Sequence, residues 1–400
     1  MYDAIVVGAR CAGSPTAMLL ARKGYRVLLV DRDNFPSDHL STHWIHQPGV
    51  ARLARWGLRE RLAATGCPPI TSISMDLGPF TLRGTPPPAG DVAEAYCPRR
   101  TVLDKLLVDA AVEAGAELRE RFTVQDLIWD GARVGGITGR SASGTTVTER
   151  ARIVIGADGI HSLVARQVAA PTYNTRPTYS CAYYTYWSGV PLEGVEFYPR
   201  EHRGFGVLPT HDGLACIIVG WPHEEFHAYR ANIEGNYLKT LELAPTLAER
   251  VRQGKREERF SGTADMRNFY RTPYGPGWAL VGDAGYHKDP ITAQGISDAF
   301  RDAELLAAAI DAGFTGRRPL EDALAEYEQQ RNAASQALYE FTCQLATLEP
   351  PPPEQQRLFA ALRYNQEQTD RFFGVMAGTV PVTEFFAPEH VERIIGAAAA

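Results

Sequence analysis

The chain reads as an α/β protein in which a parallel sheet wound with helices is interrupted by an antiparallel insertion and closed by C-terminal helices. Two observations carry this. Residues 2–31 run as a short β-branched stretch, a glycine turn, an apolar-periodic stretch and a second apolar strand, which together make a complete βαβ unit. Farther on, residues 171–230 hold twelve aromatics in sixty positions, in period-2 stretches such as 183–187 and 214–219, and these read as an antiparallel sheet.

Each element follows from local chemistry. Residues 4–7 form a strand that stops at Gly8, and residues 12–23 form a helix that stops at Gly24, a residue that ends helices by tolerating left-handed backbone. Residues 25–30 are the second strand and end on Asp31. Pro and Gly punctuate residues 66–90, including Pro86, Pro87 and Pro88, so this stretch reads as an excursion out of the first domain. An amphipathic helix over 101–114 is closed by Gly115, and short β-rich pieces over 116–155 end in Ile153, Val154 and Ile155. The parallel pattern resumes at 278–281, followed by Gly282, Asp283 and a helix from about 294 to 312. Residues 320–345 are strongly helical, prolines 350–353 break that helix, and two further helical pieces follow. The expected organisation is a discontinuous nucleotide-binding domain (1–75, 96–170 and 265–318), a β-sheet substrate domain (76–95 and 171–264) and a helical region (319–400).

Composition narrows the function. Four hundred residues, 44% hydrophobic and 22% charged, suit a multi-domain globular chain. With 41 Lys plus Arg against 47 Asp plus Glu and no basic run, nucleic acid is not an expected partner. The six cysteines include no Cys-x-x-Cys pair, which implies neither a disulfide framework nor a thiolate metal site. No stretch reaches the length of a membrane span and no leader pattern precedes the first strand, so a cytoplasmic location is expected; the sequence leaves the oligomeric state open.

Three strand-end turns carry the chemistry. The turn Gly8-Ala9-Arg10-Cys11-Ala12-Gly13 occupies the place of a dinucleotide fingerprint: Gly8 permits the tight turn and Gly13 the close packing of helix on strand. Arg10 stands where the second glycine belongs, and its cation reaches a phosphate if it swings outward. Asp31, followed by Arg32, is placed to accept hydrogen bonds from a ribose diol. Residues 155–159 (Ile-Gly-Ala-Asp-Gly) and 280–284 (Leu-Val-Gly-Asp-Ala) repeat the pattern of an apolar strand ending in Gly-Asp chemistry, where such sheets bind ligands.

In this order and spacing the three turns resemble the FAD-dependent aromatic hydroxylases (group A flavoprotein monooxygenases, para-hydroxybenzoate hydroxylase-like), a family related to geranylgeranyl reductases and flavin-dependent halogenases. The resemblance covers residues 1 to about 345. Its most specific part is a Pro seven residues and a Gly twelve residues after the Gly-Asp aspartate, here Pro290 and Gly295 after Asp283. The resemblance implies a Rossmann-like FAD-binding domain with an inserted antiparallel substrate sheet. It implies that Gly282 and Asp283 meet the flavin ribityl chain, Asp158 the pyrophosphate region, and Arg100, with Cys11 and Ala12 of the first turn, the cofactor. Pro290, Gln294, Gly295 and Ile296 would frame the flavin ring, with the helix there aiming amide N–H groups at it, a contribution of roughly 0.3–2 kcal/mol. In that family NADPH or NADH reduces FAD, O2 adds at the flavin C4a, and the hydroperoxide hydroxylates or epoxidises an aromatic or otherwise apolar small molecule.

Three residues are candidates for proton transfer. The family's His three positions after the Gly-Asp aspartate is Tyr286 here, with His287 one place later. His43 is either a proton carrier or a hydrogen-bonded loop histidine. The aromatic insertion is either the wall of a pocket for a flat apolar substrate or an ordinary half-buried sheet, and residues 372–386, aromatic and Gly-containing, are expected to fold back as a lid. Halogenases carry a Trp-x-Trp-x-Ile-Pro segment and a catalytic Lys in the first domain. This chain has Gly-Phe-Gly-Val-Leu-Pro at 204–209 and no Lys between Lys23 and Lys105. The alternatives to a monooxygenase are a geranylgeranyl-type double-bond reductase or a halogenase-like flavoenzyme needing an external reductase.

Overall fold

The computed structural model describes residues 1–399; Ala400, the last residue of the expected helical region, lies outside the described residues. The chain opens with β1 (Tyr2–Val7), α1 (Gly13–Arg22) and β2 (Val27–Val30), then leaves for β3 (Ile73–Asp76) and β4 (Thr81–Gly84). It returns through α2 (Arg100–Glu113) to β5 (Glu117–Arg119), the hairpin β6 (Thr123–Asp130) and β7 (Arg133–Arg140), and the long β8 (Thr146–Gly156). A second departure runs through β9 (Thr172–Arg176), β10 (Ser180–Ser188), β11 (Val195–Arg200), β12 (Arg203–Pro209) and β13 (Ala215–Pro222), followed by three helices between Phe226 and Gln253. The return is β14 (Asn268–Arg271), β15 (Trp278–Leu280) and β16 (Tyr286–His287), leading into α3 (Gly295–Phe314) and α4 (Leu320–Ala346).

The first sheet runs β15-β8-β1-β2-β5 with parallel pairing throughout. β2 is buried at every position, as is nearly all of β1, because both faces of the parallel sheet are covered, one by helices and the other by the β6–β7 hairpin with the short helix Leu163–Gln167. On one face, α1, α2 and α3 pack Leu20, Leu103, Phe300 and Leu306 into a common core, each worth about 1.5–3 kcal/mol when fully buried. The second sheet runs β10-β13-β12-β11-β3-β4. β3 therefore belongs to the second sheet, so the excursion from the first sheet begins before residue 76. One face of this sheet, with Tyr183, Phe205 and Trp221, packs on the three helices; the other, with Tyr184, Phe197 and Leu208, turns toward the first domain.

Beyond the proline break the described residues form four helices where two were expected: α5 (Pro353–Leu362), α6 (Gln366–Ala377), α7 (Val382–Phe385) and α8 (Pro388–Ala399). Phe372, Phe373 and Phe385 are buried in one core with Ile73, Met75 and Leu82 of β3 and β4. The expected lid is thus a packed wall. Three large aromatics sunk in a core make its opening cost several side chains' worth of apolar burial.

Candidate active site

One continuous cavity of about 1610 Å3 runs between the two sheets, from the turn after β1 to the chain between α4 and α5. That exceeds the roughly 300–1,000 Å3 typical of a site for one small ligand. The three strand-end turns line one half and the second sheet lines the other.

At the first turn both glycines are dictated by sterics. Gly8 has φ +101°, and a Cβ on it would lie 2.5 Å from the carbonyl oxygen of Ala157; a Cβ on Gly13 would lie 1.7 Å from the carbonyl oxygen of Gly8. Arg10 does not swing outward. Its guanidinium is held by Asp104 at 2.5 Å and Asp33 at 2.8 Å, because the wholly buried Asp104 carboxylate demands counter-charge. Arg100 pairs with the same carboxylate at 3.0 Å, and the Cys11 thiol donates to it at 3.4 Å. Asp104, which sequence reading passed over, thus organises three of the expected cofactor residues. Asp31 accepts backbone N–H groups from Ala9 at 2.6 Å and Asp33 at 2.9 Å, while Arg32 is exposed on the cavity rim.

The later turns divide in role. Asp158 accepts from Ser162 Oγ at 2.5 Å and from Leu163 N–H at 2.6 Å, capping the short helix Leu163–Gln167 while lining the cavity. Asp283 is exposed on the cavity and its carboxylate has no hydrogen-bond partner among the described residues. Gly282 has φ +61°, and a Cβ there would lie 2.7 Å from Ala12 Cβ, so the first and third turns close on each other. Gly295 opens α3, and a Cβ on it would meet nothing within 4 Å, leaving bare N–H groups at the head of a 20-residue helix facing open cavity. Ile296 and Pro290 line the same space. Gln294 turns away: its Nε2 donates to the Met376 carbonyl at 2.6 Å and ties α6 to the start of α3.

The proton-transfer candidates fare differently. His43 is wholly buried at φ 62°, with Nε2 2.5 Å from the Tyr186 hydroxyl, and is not on the cavity surface. Burial, reinforced by Arg100 and Arg99, pushes its pKa down to about 3 and keeps the ring neutral. Of the two readings of His43, its burial and the Tyr186 contact favour the hydrogen-bonded histidine over the proton carrier. Tyr286 lines the cavity, stacks on Tyr270 with ring centroids 4.5 Å apart, and is held protonated by burial, which raises its pKa well above the usual phenol value. His287 also lines the cavity, its Nδ1 hydrogen-bonded to the Arg267 carbonyl.

Sequence reading missed a buried charge cluster beside α3. Lys288 pairs with Asp298 and donates to the Tyr286 hydroxyl at 2.8 Å, and Arg301 bridges Asp298 at 2.7 Å and Asp302 at 2.9 Å. Burial acts to raise the Asp298 pKa, and Lys288 and Arg301 outweigh it, holding the carboxyl below its ordinary value. Asp289, also buried, accepts from Ser180 Oγ at 2.6 Å and from Ile291 N–H at 3.0 Å; burial pushes its pKa up to about 6. A Lys-Asp-Pro run followed by Ser-Asp in the next helix turn is the trace these groups leave in the sequence.

A glycine-built groove at three parallel-strand ends, a free aspartate and an open helix N-terminus together fit a flavin dinucleotide. These features define a dinucleotide-binding flavoenzyme. Residues 1–342 match the FAD binding domain family, and the chain belongs to it. It is 27% identical over 341 residues to tryptophan 2-halogenase from Chondromyces crocatus, covering 81% of this chain and 64% of the halogenase. It is 30% identical over 330 residues to digeranylgeranylglycerophospholipid reductase 2 from Methanothermobacter thermautotrophicus, covering 78% of this chain and 79% of the reductase. The fold is shared with a probable FAD-dependent monooxygenase from Pseudomonas aeruginosa, at a TM-score of 0.72 and 21% identity over 94% of this chain and 99% of that one. No helix among the described residues is long and apolar enough to cross a membrane.

Proposed function

We propose that the protein is a cytoplasmic FAD-dependent monooxygenase, reduced by NADPH or NADH, that hydroxylates or epoxidises an aromatic or polyene small molecule. One atom of O2 enters the substrate, the other leaves as water, and the nicotinamide supplies the two electrons. FAD, when bound, supplies the redox and oxygen chemistry. The observation that carries the reading is the continuity of the cavity: the space in front of Gly295 passes without a wall into a chamber lined by Tyr184, Phe197, Leu208, Ile218, Phe341 and Phe372. An apolar substrate held there lies against the cofactor's place and away from bulk water.

The chain's residues take separable parts in this. Asp283 and the N–H groups at the head of α3 bind and orient the cofactor, and the apolar chamber walls exclude water. Lys288 is the one lysine on the cavity among the described residues, and its pairing with Asp298 leaves no free ammonium there, which counts against halogenase chemistry resting on a lysine. The kinship with a digeranylgeranylglycerophospholipid reductase supports a second reading, reduction of a substrate double bond.

Anaerobic titration of the holoprotein with NADPH and NADH, followed through flavin absorbance and then by admission of air, tests the proposal. Expected is bleaching by one nicotinamide, faster with an aromatic candidate present, and recovery in air with oxygen from 18O2 in the product. Reduction by dithionite alone, followed by saturation of an added polyprenyl substrate, would replace it with the reductase reading.

A further inference from the structure

The second sheet carries three glycines that its own backbone does not require. Gly204 and Gly206 of β12 and Gly220 of β13 have no positive φ, and the interior of a strand is a place where glycine is disfavoured. Nor are they forced by packing. A Cβ on Gly206 would lie 3.6 Å from the Phe197 ring, one on Gly220 would lie 3.4 Å from the Gly204 carbonyl oxygen, and one on Gly204 would lie 3.3 Å from a flexible Leu348 methyl. All three stand on the cavity face.

Cross-strand register turns these positions into a shape. Ala182 of β10 is opposite Gly220, Gly220 is opposite Gly204, and Gly204 is opposite Pro199 of β11. A row of small side chains therefore crosses four adjacent strands, open above Gly220 and bordered by the Leu348 methyl at Gly204. At about 4.8 Å per inter-strand step the row is about 14 Å long. The adjoining row, Tyr184, Ile218, Gly206 and Phe197, supplies walls on both sides of a gap at Gly206. Along the second sheet's side of the chamber the cations are spoken for: Lys288 by Asp298, Arg200 by Asp76 at 2.9 Å and Arg203 by Glu225 at 2.7 Å. At the Ala182 end Ser180 donates to the carboxyl of Asp289.

The geometry points to a substrate trough: the Ala182-Gly220-Gly204-Pro199 row, widened at Gly206, receives a flat, uncharged, fused-ring molecule lying on bare sheet backbone. The missing side chains are the space the rings fill, and with no unpaired cation beside the trough a carboxylate would enter desolvated and without a partner. This deepens the monooxygenase reading by naming its substrate class, and rests on that reading only for the reaction that follows binding.

Equilibrium dialysis of the holoprotein with three probes tests it: 2-naphthol (flat, uncharged), 2-naphthoate (flat, anionic) and 1-decanol (uncharged, not flat). Expected is 2-naphthol binding at least tenfold tighter than either of the others. The Gly206→Val and Gly220→Val variants should each weaken it at least tenfold while FAD affinity stays level and the unfolding temperature stays level or rises. Equal affinity for the three probes, or 2-naphthol binding unmoved in both variants, overturns the trough. Loss of FAD together with a fall in unfolding temperature in both variants also overturns it, by making the glycines structural. Because dialysis needs no turnover, selective naphthol binding by an enzyme that never oxygenates it would support the trough and remove only the monooxygenase reading.

Discussion

Glycine does opposite work in the two halves of this molecule. In the turn after β1 a side chain on Gly8 or Gly13 would strike backbone at 2.5 Å and 1.7 Å, so the fold itself forbids anything larger. Across the second sheet, Gly206 and Gly220 have ordinary strand backbone and room for a Cβ. The first set is read by asking what the chain needs to close its turn; the second only by asking what else must fit there. A residue that costs a strand stability and returns no packing directs attention to a ligand.

Four substitutions would break or sharpen this contrast. The largest effect belongs to Gly13→Val: with backbone 1.7 Å away and no flexible neighbour to yield, we expect a loss of about 3 kcal/mol or more. For a chain of this size that lowers the unfolding temperature by roughly 3–4 °C in calorimetry; a shift under about 1 °C would mean the turn is looser than the contact implies. Next is Asp289→Asn, where the two halves meet. The folded-state pKa of Asp289 is raised from 3.8 to about 6, so its contribution to stability is fully present below the unfolded value and lost as pH rises through about 6. The amide, whose oxygen accepts from Ile291 N–H and whose NH2 donates to Ser180 Oγ, should therefore be more stable than the parent by up to about 3 kcal/mol above pH 6 and match it below about pH 4. A difference independent of pH in paired melts would refute that assignment.

Asp283→Ala should weaken FAD by about 10- to 100-fold, the worth of a hydrogen bond to a charged group, and leave the melting of the apoprotein unchanged, since the carboxylate is exposed and unpartnered. Fluorescence titration with FAD reads the first and calorimetry the second. The smallest effect is Gly206→Ala, expected to leave stability level or to raise it by up to about 1 kcal/mol in urea unfolding. Destabilisation beyond about 1 kcal/mol would place Gly206 with Gly13 and erase the contrast.

The βαβ opening, the Gly-Asp turns and α3 were legible because each is a local pattern: a period, a stop residue and a fixed spacing within one stretch of chain. What escaped sequence reading depends on partners far apart. Arg10 is captured by Asp104, ninety-four residues on, and His43 is buried against Tyr186, 143 residues on, which favours the hydrogen-bonded histidine over the proton carrier. Gln294 faces α6 because Met376 offers a carbonyl there, and residues 372–386 became a wall because β3 and β4 gave their aromatics a surface to bury. The helical pieces after residue 353 were undercounted because short helices lean on such packing and only weakly on their own propensity.

The sequence alone determined the fold class, the order of the three strand-end turns and the steric need for glycine at positions 8 and 13, since backbone sterics and periodicity act between near neighbours, while Asp283 and Gly295 were singled out through the family resemblance. Only the tertiary structure decided which charges are spent on one another, which histidine faces the cavity, and that Ala182, Gly220, Gly204 and Pro199 form one row. Register between strands and the pairing of buried charges are set by long-range packing, where one residue's slip exchanges the two faces of a sheet and a few ångströms decide whether a cation is free.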